Sequence, residues 1–218
     1  MITETIRPLL RGWSHAAAVI PAAAGAVVLV GGPRTSNAER AALALYGVAL
    51  VLLFGVSALY HCRAWSPGVR AVFRRIDHAN IFLMIAATYT AVAALVLDGM
   101  VRVLILVAVW TAAIIGMTLV TAPVRLPRAV TVLLYLLTGW MAIVIVPAIA
   151  TRVGTTELML LLAGGLLYSL GAIAYALQRP RLWPRVFGYH EVFHLLVIAG
   201  SALFFAFVAL ALGPGVRS

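Results

Sequence analysis

The sequence has no lysine, a single cysteine and only 6 acidic residues among its 218 residues. Because Cys62 has no second cysteine to pair with, an internal disulfide is excluded. Charged residues make up 10% of the chain and apolar residues 64%, and the mean hydropathy is +1.10. No soluble globular domain of ordinary composition approaches these values. The composition therefore predicts an integral membrane protein.

The positive charge is carried entirely by arginine: 16 arginines against 6 acidic residues give a net charge of +10. Such a charge is also found in proteins that bind nucleic acid. Here the arginines occur singly or in small groups between apolar runs, which is typical of the loops of membrane proteins. The pattern therefore argues against nucleic acid as a partner.

The apolar runs predict an all-α bundle of seven transmembrane helices. At roughly 20 residues for each span, the chain has room for one seven-helix domain over residues 1–218 and for no second, soluble domain. The first run also has features of a cleaved signal peptide, but the hydrophobic pattern continues after it, which favours a span. The predicted spans are 13–30, 41–61, 77–97, 101–121, 129–149, 157–177 and 190–212.

The arginines also predict the orientation, because cytoplasmic loops carry an excess of positive charge. One side of the predicted bundle holds 11 arginines and the other holds five. The larger set comprises Arg7, Arg11, Arg63, Arg70, Arg74, Arg75, Arg125, Arg128, Arg179, Arg181 and Arg185, and the smaller set Arg34, Arg40, Arg102, Arg152 and Arg217. We therefore expect a cytoplasmic N-terminus and an outside C-terminus in a multi-pass protein of the plasma membrane.

With this orientation, all five histidines lie toward the cytoplasmic side. A charged residue at the centre of a membrane helix costs about 2.5–3.5 kcal/mol, so ionisable groups gathered at helix ends indicate a function. His190 and His194 are four residues apart and would share one helix face, about 40° apart, which suits two ligands of one metal ion. His61 ends the second span at the same depth. Three histidines with an open fourth position are typical of catalytic zinc, although iron, copper and nickel also accept imidazole.

Two further polar residues lie at the same predicted depth. Ser57 precedes His61 by one helical turn, and Asp77 opens the third span. Either could reach a metal-bound water or orient a ligand, and Asp77 is the better candidate for a base. For His15 and His78 an ordinary interfacial role is favoured, and His78 points about 100° away from its neighbour Asp77 on a helix.

Residues 190–194 also spell the H-E-x-x-H pattern of zinc metalloproteases, in which the glutamate, here Glu191, is the general base. An intramembrane metalloprotease is therefore an alternative. Loss of Glu191 would abolish a protease but not the other candidate functions.

Four segments resemble the hemolysin III proteins, bacterial relatives of the progestin and adiponectin receptor family of seven-helix membrane proteins. They are Pro8-Leu9-Leu10-Arg11-Gly12-Trp13-Ser14-His15; Ser57-Ala58-Leu59-Tyr60-His61; Arg75-Ile76-Asp77-His78 with Ala86-Ala87-Thr88-Tyr89-Thr90; and Gly188-Tyr189-His190-Glu191-Val192-Phe193-His194. The resemblance covers nearly the whole chain. Many members of that family carry a further histidine late in the last helix, where this chain has Phe204 and Phe205.

The resemblance implies a zinc ion held by His61, His190 and His194, with Ser57 and Asp77 near a bound water. It also implies hydrolysis of lipid amides of the ceramide kind, with membrane lipids as the substrate. Two alternatives remain: a receptor-like regulator of membrane lipid state, or a cytolytic pore, each with a structural zinc. The pattern identifies neither the lipid nor a protein partner nor an oligomeric state.

Overall fold

The computed structural model describes residues 8–32, 36–124, 126–183 and 185–213. Within these ranges the chain is helical, and its only β-type pairing is an isolated bridge between Trp183 and Phe187. The helices are α1 (Trp13–Gly31), α2 (Asn37–Cys62), α3 (Pro67–Val96), α4 (Gly99–Thr121), α5 (Arg128–Trp140), a 3₁₀ turn (Met141–Val144), α6 (Val146–Ala150), α7 (Thr155–Leu177) and α8 (Tyr189–Ala211).

Six of the described helices are long and apolar enough to cross a bilayer: α1, α2, α3, α4, α7 and α8. Each contains one of the predicted spans or most of it. The all-helical, multi-pass class predicted from composition is therefore confirmed.

Two helices, α2 and α3, begin well before their predicted spans, at Asn37 and Pro67 rather than at residues 41 and 77. The start of α2 at Asn37 is set by a capping box, in which the Ser36 side chain accepts a hydrogen bond from the backbone N–H of Glu39 and the Glu39 carboxylate accepts one from the backbone N–H of Ser36. The start of α3 is at Pro67, a residue favoured in the first helical turn. Its added turns contain arginines, which lower the local hydropathy without interrupting the helix.

The predicted fifth span, 129–149, is not one continuous helix. It is divided into α5, the 3₁₀ turn and α6. The apolar helical part, Arg128–Val144, comprises α5 and the 3₁₀ turn and is shorter than the six long helices. The break precedes Pro147, which has no N–H to donate and whose ring would clash with the carbonyl of Ile143 in a regular helix.

Neighbouring helices pack as antiparallel hairpins, and α8 returns to α1. The main contacts join α1 with α2, α2 with α3, α3 with α4 and α7 with α8, while α5 packs on α7 and α8 packs on α1 and α3. These contacts close a ring of helices. Among the six long helices α3 is the most buried, since 67% of the residues in its most apolar stretch lie inside the bundle.

Small residues allow close approach at two of these pairs. A Cβ added to Gly47 of α2 would lie 2.5 Å from Cβ of Ala26 on α1, and one added to Gly200 of α8 would lie 3.1 Å from the carbonyl oxygen of Gly164 on α7. In α7, a Cβ added to Gly164 or Gly171 would meet side chains of α8, whereas one added to Gly165 has no neighbour within 4 Å.

The ring places the end of α2 and the starts of α1, α3 and α8 at one end of the bundle. The arginine count still favours the cytoplasmic side for this end. Four of the counted arginines, Arg7, Arg34, Arg125 and Arg217, lie outside the described residues.

Candidate metal centre

Three histidines from the two ends of the chain meet at this end of the bundle. Ligand nitrogens of His61, His190 and His194 all lie within 4.8 Å of one another, and we call these residues the histidine cluster. Nε2 of His61 is 3.1 Å from Nε2 of His190. His61 and His194 are buried, with 7% and 1% exposure, and His190 is partly buried. The structure therefore brings together the three residues predicted as metal ligands.

The geometry of the histidine cluster fits a metal ion. In a tetrahedral zinc site with bonds of about 2.0 Å, two ligand nitrogens are about 3.3 Å apart, close to the spacing between His61 and His190. Nδ1 of His194 is buried and has no hydrogen-bond partner among the described residues. A buried polar atom of this kind is rare unless it has a partner, so a bound ion or water would satisfy it. Imidazole donors suit zinc, and also iron, copper and nickel.

Asp77 and Ser57 lie beside the histidine cluster. Oδ2 of Asp77 is 3.9 Å from Nε2 of His61, and Ser57 donates a hydrogen bond to the Asp77 carboxylate. Ser57 is 2% exposed and the Asp77 side chain 16%. Because Asp77 is too far from His61 for a hydrogen bond, a small molecule between them could contact both.

His78 has the local role expected of it. Its Nδ1 lies 2.8 Å from the carbonyl oxygen of Arg74, one turn earlier in α3, and 4.0 Å from Oδ2 of Asp77. Bonded back onto its own helix, His78 does not join the histidine cluster.

His15 does not match the interfacial role favoured from the sequence. It is only 3% exposed, and its ring stacks on that of His194, with centroids 3.9 Å apart and an interplanar angle of 11°. The sequence gives its depth but not the rotation of α1, and this rotation turns His15 inward against a member of the histidine cluster.

Glu191 is directed away from the histidine cluster. One carboxylate oxygen forms an ion pair with Arg11, and the other accepts a hydrogen bond of 2.7 Å from the backbone N–H of Gly188. Glu191 is 2% exposed. With both oxygens occupied at the start of α8, the glutamate of the H-E-x-x-H pattern has a structural environment rather than that of a general base.

The segment before α1 covers the histidine cluster. The N–H groups of Leu9 and Leu10 donate to the carbonyl oxygens of Arg185 and Val186 in the loop before α8. Gly12 has a φ of +86°, and a Cβ built on it would lie 2.5 Å from Cβ of His61. This role of Gly12 is not evident from the sequence, because a lone glycine before a helix gives no sign of such a contact.

A large cavity, which we call the main cavity, opens beside the histidine cluster. Its volume is about 440 Å³, within the range of about 300–1,000 Å³ typical of small-molecule sites. Its lining on α3 includes Asp77 and Val92, which are about 22 Å apart in helix rise. The remaining walls are mostly apolar and include Ile149 and Phe204. Ala142 and Ile143 of the 3₁₀ turn also line the main cavity.

Fold and site together define a class: a multi-pass helical membrane protein with a buried three-histidine cluster at one end of an apolar cavity. A family model described as haemolysin-III related matches residues 3–205. The chain belongs to the haemolysin III family.

Individual relatives agree with this assignment. The chain is 36% identical over 164 residues to Hemolysin-3 of Bacillus cereus, a match that covers 75% of this chain and 72% of the relative. It is 30% identical over 161 residues to the Hemolysin-3 homolog of Bacillus subtilis (strain 168), covering 74% and 72%. Monocyte to macrophage differentiation factor of Homo sapiens is 26% identical over 197 residues, covering 88% of this chain and 78% of that protein.

Proposed function

We propose that this protein is a zinc-dependent hydrolase that cleaves amide bonds of membrane lipids. The observation that carries the proposal is the position of the histidine cluster, which lies beside a carboxylate at one end of a lipid-sized apolar cavity. Neither metal sites nor apolar cavities are unusual alone. Their combination in a membrane bundle suits chemistry on a lipid.

In this proposal His61, His190 and His194 hold the ion. A zinc ion with three imidazole ligands supplies an activated water and polarises the carbonyl of the bond to be cleaved. Asp77 accepts a proton from the attacking water and returns one to the leaving amine. Ser57 orients Asp77 through its hydrogen bond, which holds the carboxylate on the side facing His61.

The main cavity is proposed to hold an acyl chain with its amide near Asp77. Its apolar walls favour hydrocarbon, because burying apolar surface is stabilising and few polar groups there would need partners. The residues around the break before Pro147 form part of the cavity wall. Ile143 and Ile145 of the fifth segment would therefore contact the acyl chain.

The topology is part of the proposal. We infer that the segment from α5 to α6 crosses the membrane in its broken form, completing seven spans in one domain over residues 1–218. Non-helical backbone at membrane depth is tolerated where it is buried in protein or lines a cavity. The arginine bias then places the N-terminus and the histidine cluster on the cytoplasmic side of the plasma membrane and the C-terminus outside.

Metal content is the first test. Elemental analysis of the protein, purified in detergent without chelators, is expected to give about one zinc per chain. His61→Ala, His190→Ala and His194→Ala should each lose it, because three ligands from two helices are needed to hold the ion. His78→Ala is the matched control: it removes a histidine at the same end whose nitrogen is bonded to Arg74, and it should retain the zinc.

All variants are compared at equal size-exclusion profiles, so that loss of metal is not mistaken for loss of folding. Absence of any metal from the wild-type protein would overturn the hydrolase proposal. Equal loss in His78→Ala would mean that the ion is not bound by the histidine cluster.

Catalysis is tested separately with Asp77→Asn. Turnover of long-chain N-acyl sphingosine in detergent micelles should fall at least about 100-fold, since a positioned general base contributes that much or more. The zinc content should stay unchanged. A receptor-like protein or a pore with structural zinc would instead show no turnover in the wild type, and its metal content would be equally insensitive to Asp77→Asn.

A further inference from the structure

A second, polar cavity adjoins the main cavity at the same end of the bundle, and we call it the arginine pocket. Its volume is about 250 Å³, several times the roughly 30 Å³ of a water molecule in the liquid. It is formed where α3, α5 and α7 meet the end of α4. Its described lining is Arg74, Arg75, His78, Val120, Val124, Leu126, Arg128, Thr131 and Tyr175.

Three guanidinium groups line this cavity, and no acidic residue is among its described lining residues. Two other arginines near helix ends are paired, Arg11 with Glu191 and Arg152 with Asp98. No ion pair to Arg74, Arg75 or Arg128 occurs within the described part of the chain. The nearest carboxylate along α3, that of Asp77, instead accepts from Ser57.

Two of the three arginines, Arg74 and Arg75, are partly buried in the fold. Arg128 is exposed, but its guanidinium lies 5.2 Å from the centre of the Tyr175 ring and hydrogen-bonds to that side chain. Placing like charges around one concavity costs free energy unless an anion offsets it. The positive-inside bias explains arginines on this side of the membrane but does not explain their convergence from two helices.

The start of α5 adds backbone donors to the same place. The first helical hydrogen bond of α5 runs from the N–H of Thr131 to the carbonyl of Pro127, and no side chain caps the helix. The N–H groups of Arg128, Ala129 and Val130 therefore have no acceptor within the helix, and the helix dipole favours an anion near them. Phosphate groups bind readily at such positions.

We propose that the arginine pocket binds a phosphate group, and that this phosphate belongs to the headgroup of an anionic membrane lipid. Guanidinium matches phosphate in a two-pronged geometry, and a dianionic or monoanionic phosphate would offset the converging charges. Arg74, His78, Arg128 and Tyr175 line both the arginine pocket and the main cavity, so a headgroup in one can continue into hydrocarbon in the other. A lipid therefore fits the pair of cavities better than a free anion does. The arginine pocket requires no metal, so binding there is separable from the proposed hydrolysis, although the hydrocarbon of the bound lipid would share the main cavity with the substrate.

The test compares two lipids with the same acyl chains by native mass spectrometry of the full chain in detergent. Dioleoylphosphatidylglycerol carries the phosphate group, and dioleoylglycerol lacks it. The phosphate lipid should bind at least tenfold more tightly. Arg75→Gln, which alters the arginine pocket but not the lining of the main cavity, should reduce that binding at least tenfold, and Arg128→Gln should do the same.

Arg63→Gln is the matched control, because Arg63 is exposed at the same end of the bundle and lines neither cavity. It should leave binding unchanged. Treatment of the wild type with a metal chelator should also leave it unchanged, which keeps this result separate from the outcome of the zinc experiment. Equal binding of the two lipids to the wild type, or equal binding by Arg75→Gln and Arg63→Gln, would overturn the lipid site.

Inorganic phosphate distinguishes the two sources of the group. It should displace dioleoylphosphatidylglycerol more strongly than sodium chloride at the same ionic strength, because chloride only screens the charges. If inorganic phosphate raises the melting temperature of the wild type but not of Arg75→Gln while the two lipids bind equally, the phosphate site is retained and a lipid as its source is overturned.

Discussion

Arg11 and Glu191 form an ion pair beside the histidine cluster, at the start of α8. Glu191 lies between His190 and His194 on α8, and its carboxylate is bonded on one side to Gly188 and on the other to Arg11. These bonds fix the first turn of α8 and attach it to the segment before α1. The orientation of both α8 histidines therefore depends on a side chain that points away from them.

We expect Glu191→Gln to reduce stability but not activity. The amide keeps one oxygen acceptor and loses the charge that Arg11 faces, which should cost about 1–3 kcal/mol and lower the melting temperature in detergent. Zinc content and lipid-amide turnover, measured per folded chain below that temperature, should stay within about twofold of the wild type.

The same substitution decides the metalloprotease alternative. A protease that used Glu191 as its general base would lose about 100-fold or more of its activity when the carboxylate is replaced. The comparison with Asp77→Asn makes the experiment informative, because the two proposals assign the base to different carboxylates.

At the level of the helices, the hydropathy pattern predicted where the long membrane helices lie. It did not predict where a helix breaks or which side of a helix faces its neighbours. The six long helices follow from their apolar runs. The break in the fifth segment was missed because a single proline, Pro147, lowers the mean hydropathy of this apolar run too little to divide it. The stacking of His15 on His194 was missed because the sequence gives a residue's depth along a helix and not the direction it faces.

The candidate site shows the same division. His190 and His194 could be paired from their spacing on one helix, and the depth of His61 placed it with them. The contact of Gly12 with His61 joins two elements far apart in sequence, and the hydrophobic periodicity of either helix does not predict it.

Gly12→Ala is expected to disturb the junction between the segment before α1 and α2. The left-handed conformation costs an alanine about 1–2 kcal/mol, and its Cβ would lie 2.5 Å from that of His61, which forces one element to move. We expect a lower melting temperature and at least a partial loss of zinc by elemental analysis.

Gly68→Ala serves as the control for that experiment. Gly68 lies in the first turns of α3, and a Cβ added to it has no neighbour within 4 Å. Alanine should leave zinc content unchanged there. A Gly12→Ala protein with full zinc and an unchanged melting temperature would mean that this contact does not position His61.

For the whole molecule, the arrangement separates the two ends of the bundle. The histidine cluster, Asp77 and the arginine pocket lie at one end, and the ion pair of Arg152 with Asp98 lies at the other. The proposed chemistry therefore faces only one compartment, and the orientation of the bundle in the membrane determines which one.

The topology can be tested with single cysteines, because Cys62→Ala gives a background without cysteine. Val124→Cys and Thr156→Cys flank the broken fifth segment on exposed positions. A membrane-impermeant maleimide applied to intact cells should label Thr156→Cys, and it should label Val124→Cys only after the membrane is opened.

The pattern of labelling separates the two parts of the topology. Labelling of both cysteines from the same side would show that the fifth segment does not cross. Labelling in the opposite order would keep the seven spans and reverse the orientation.

The distance along the chain between the ligands has a consequence for biosynthesis. His61 and His190 are 129 residues apart, and at ribosomal speeds of about 5–20 residues per second the second follows the first by on the order of 10 s. During that interval the nascent protein has one imidazole of the histidine cluster, that of His61, together with Ser57 and Asp77, but no complete centre. A chain released before its last helix is made would therefore be unable to acquire the ion through three nitrogens, and the enzyme proposed here would be inert until translation of that helix is finished.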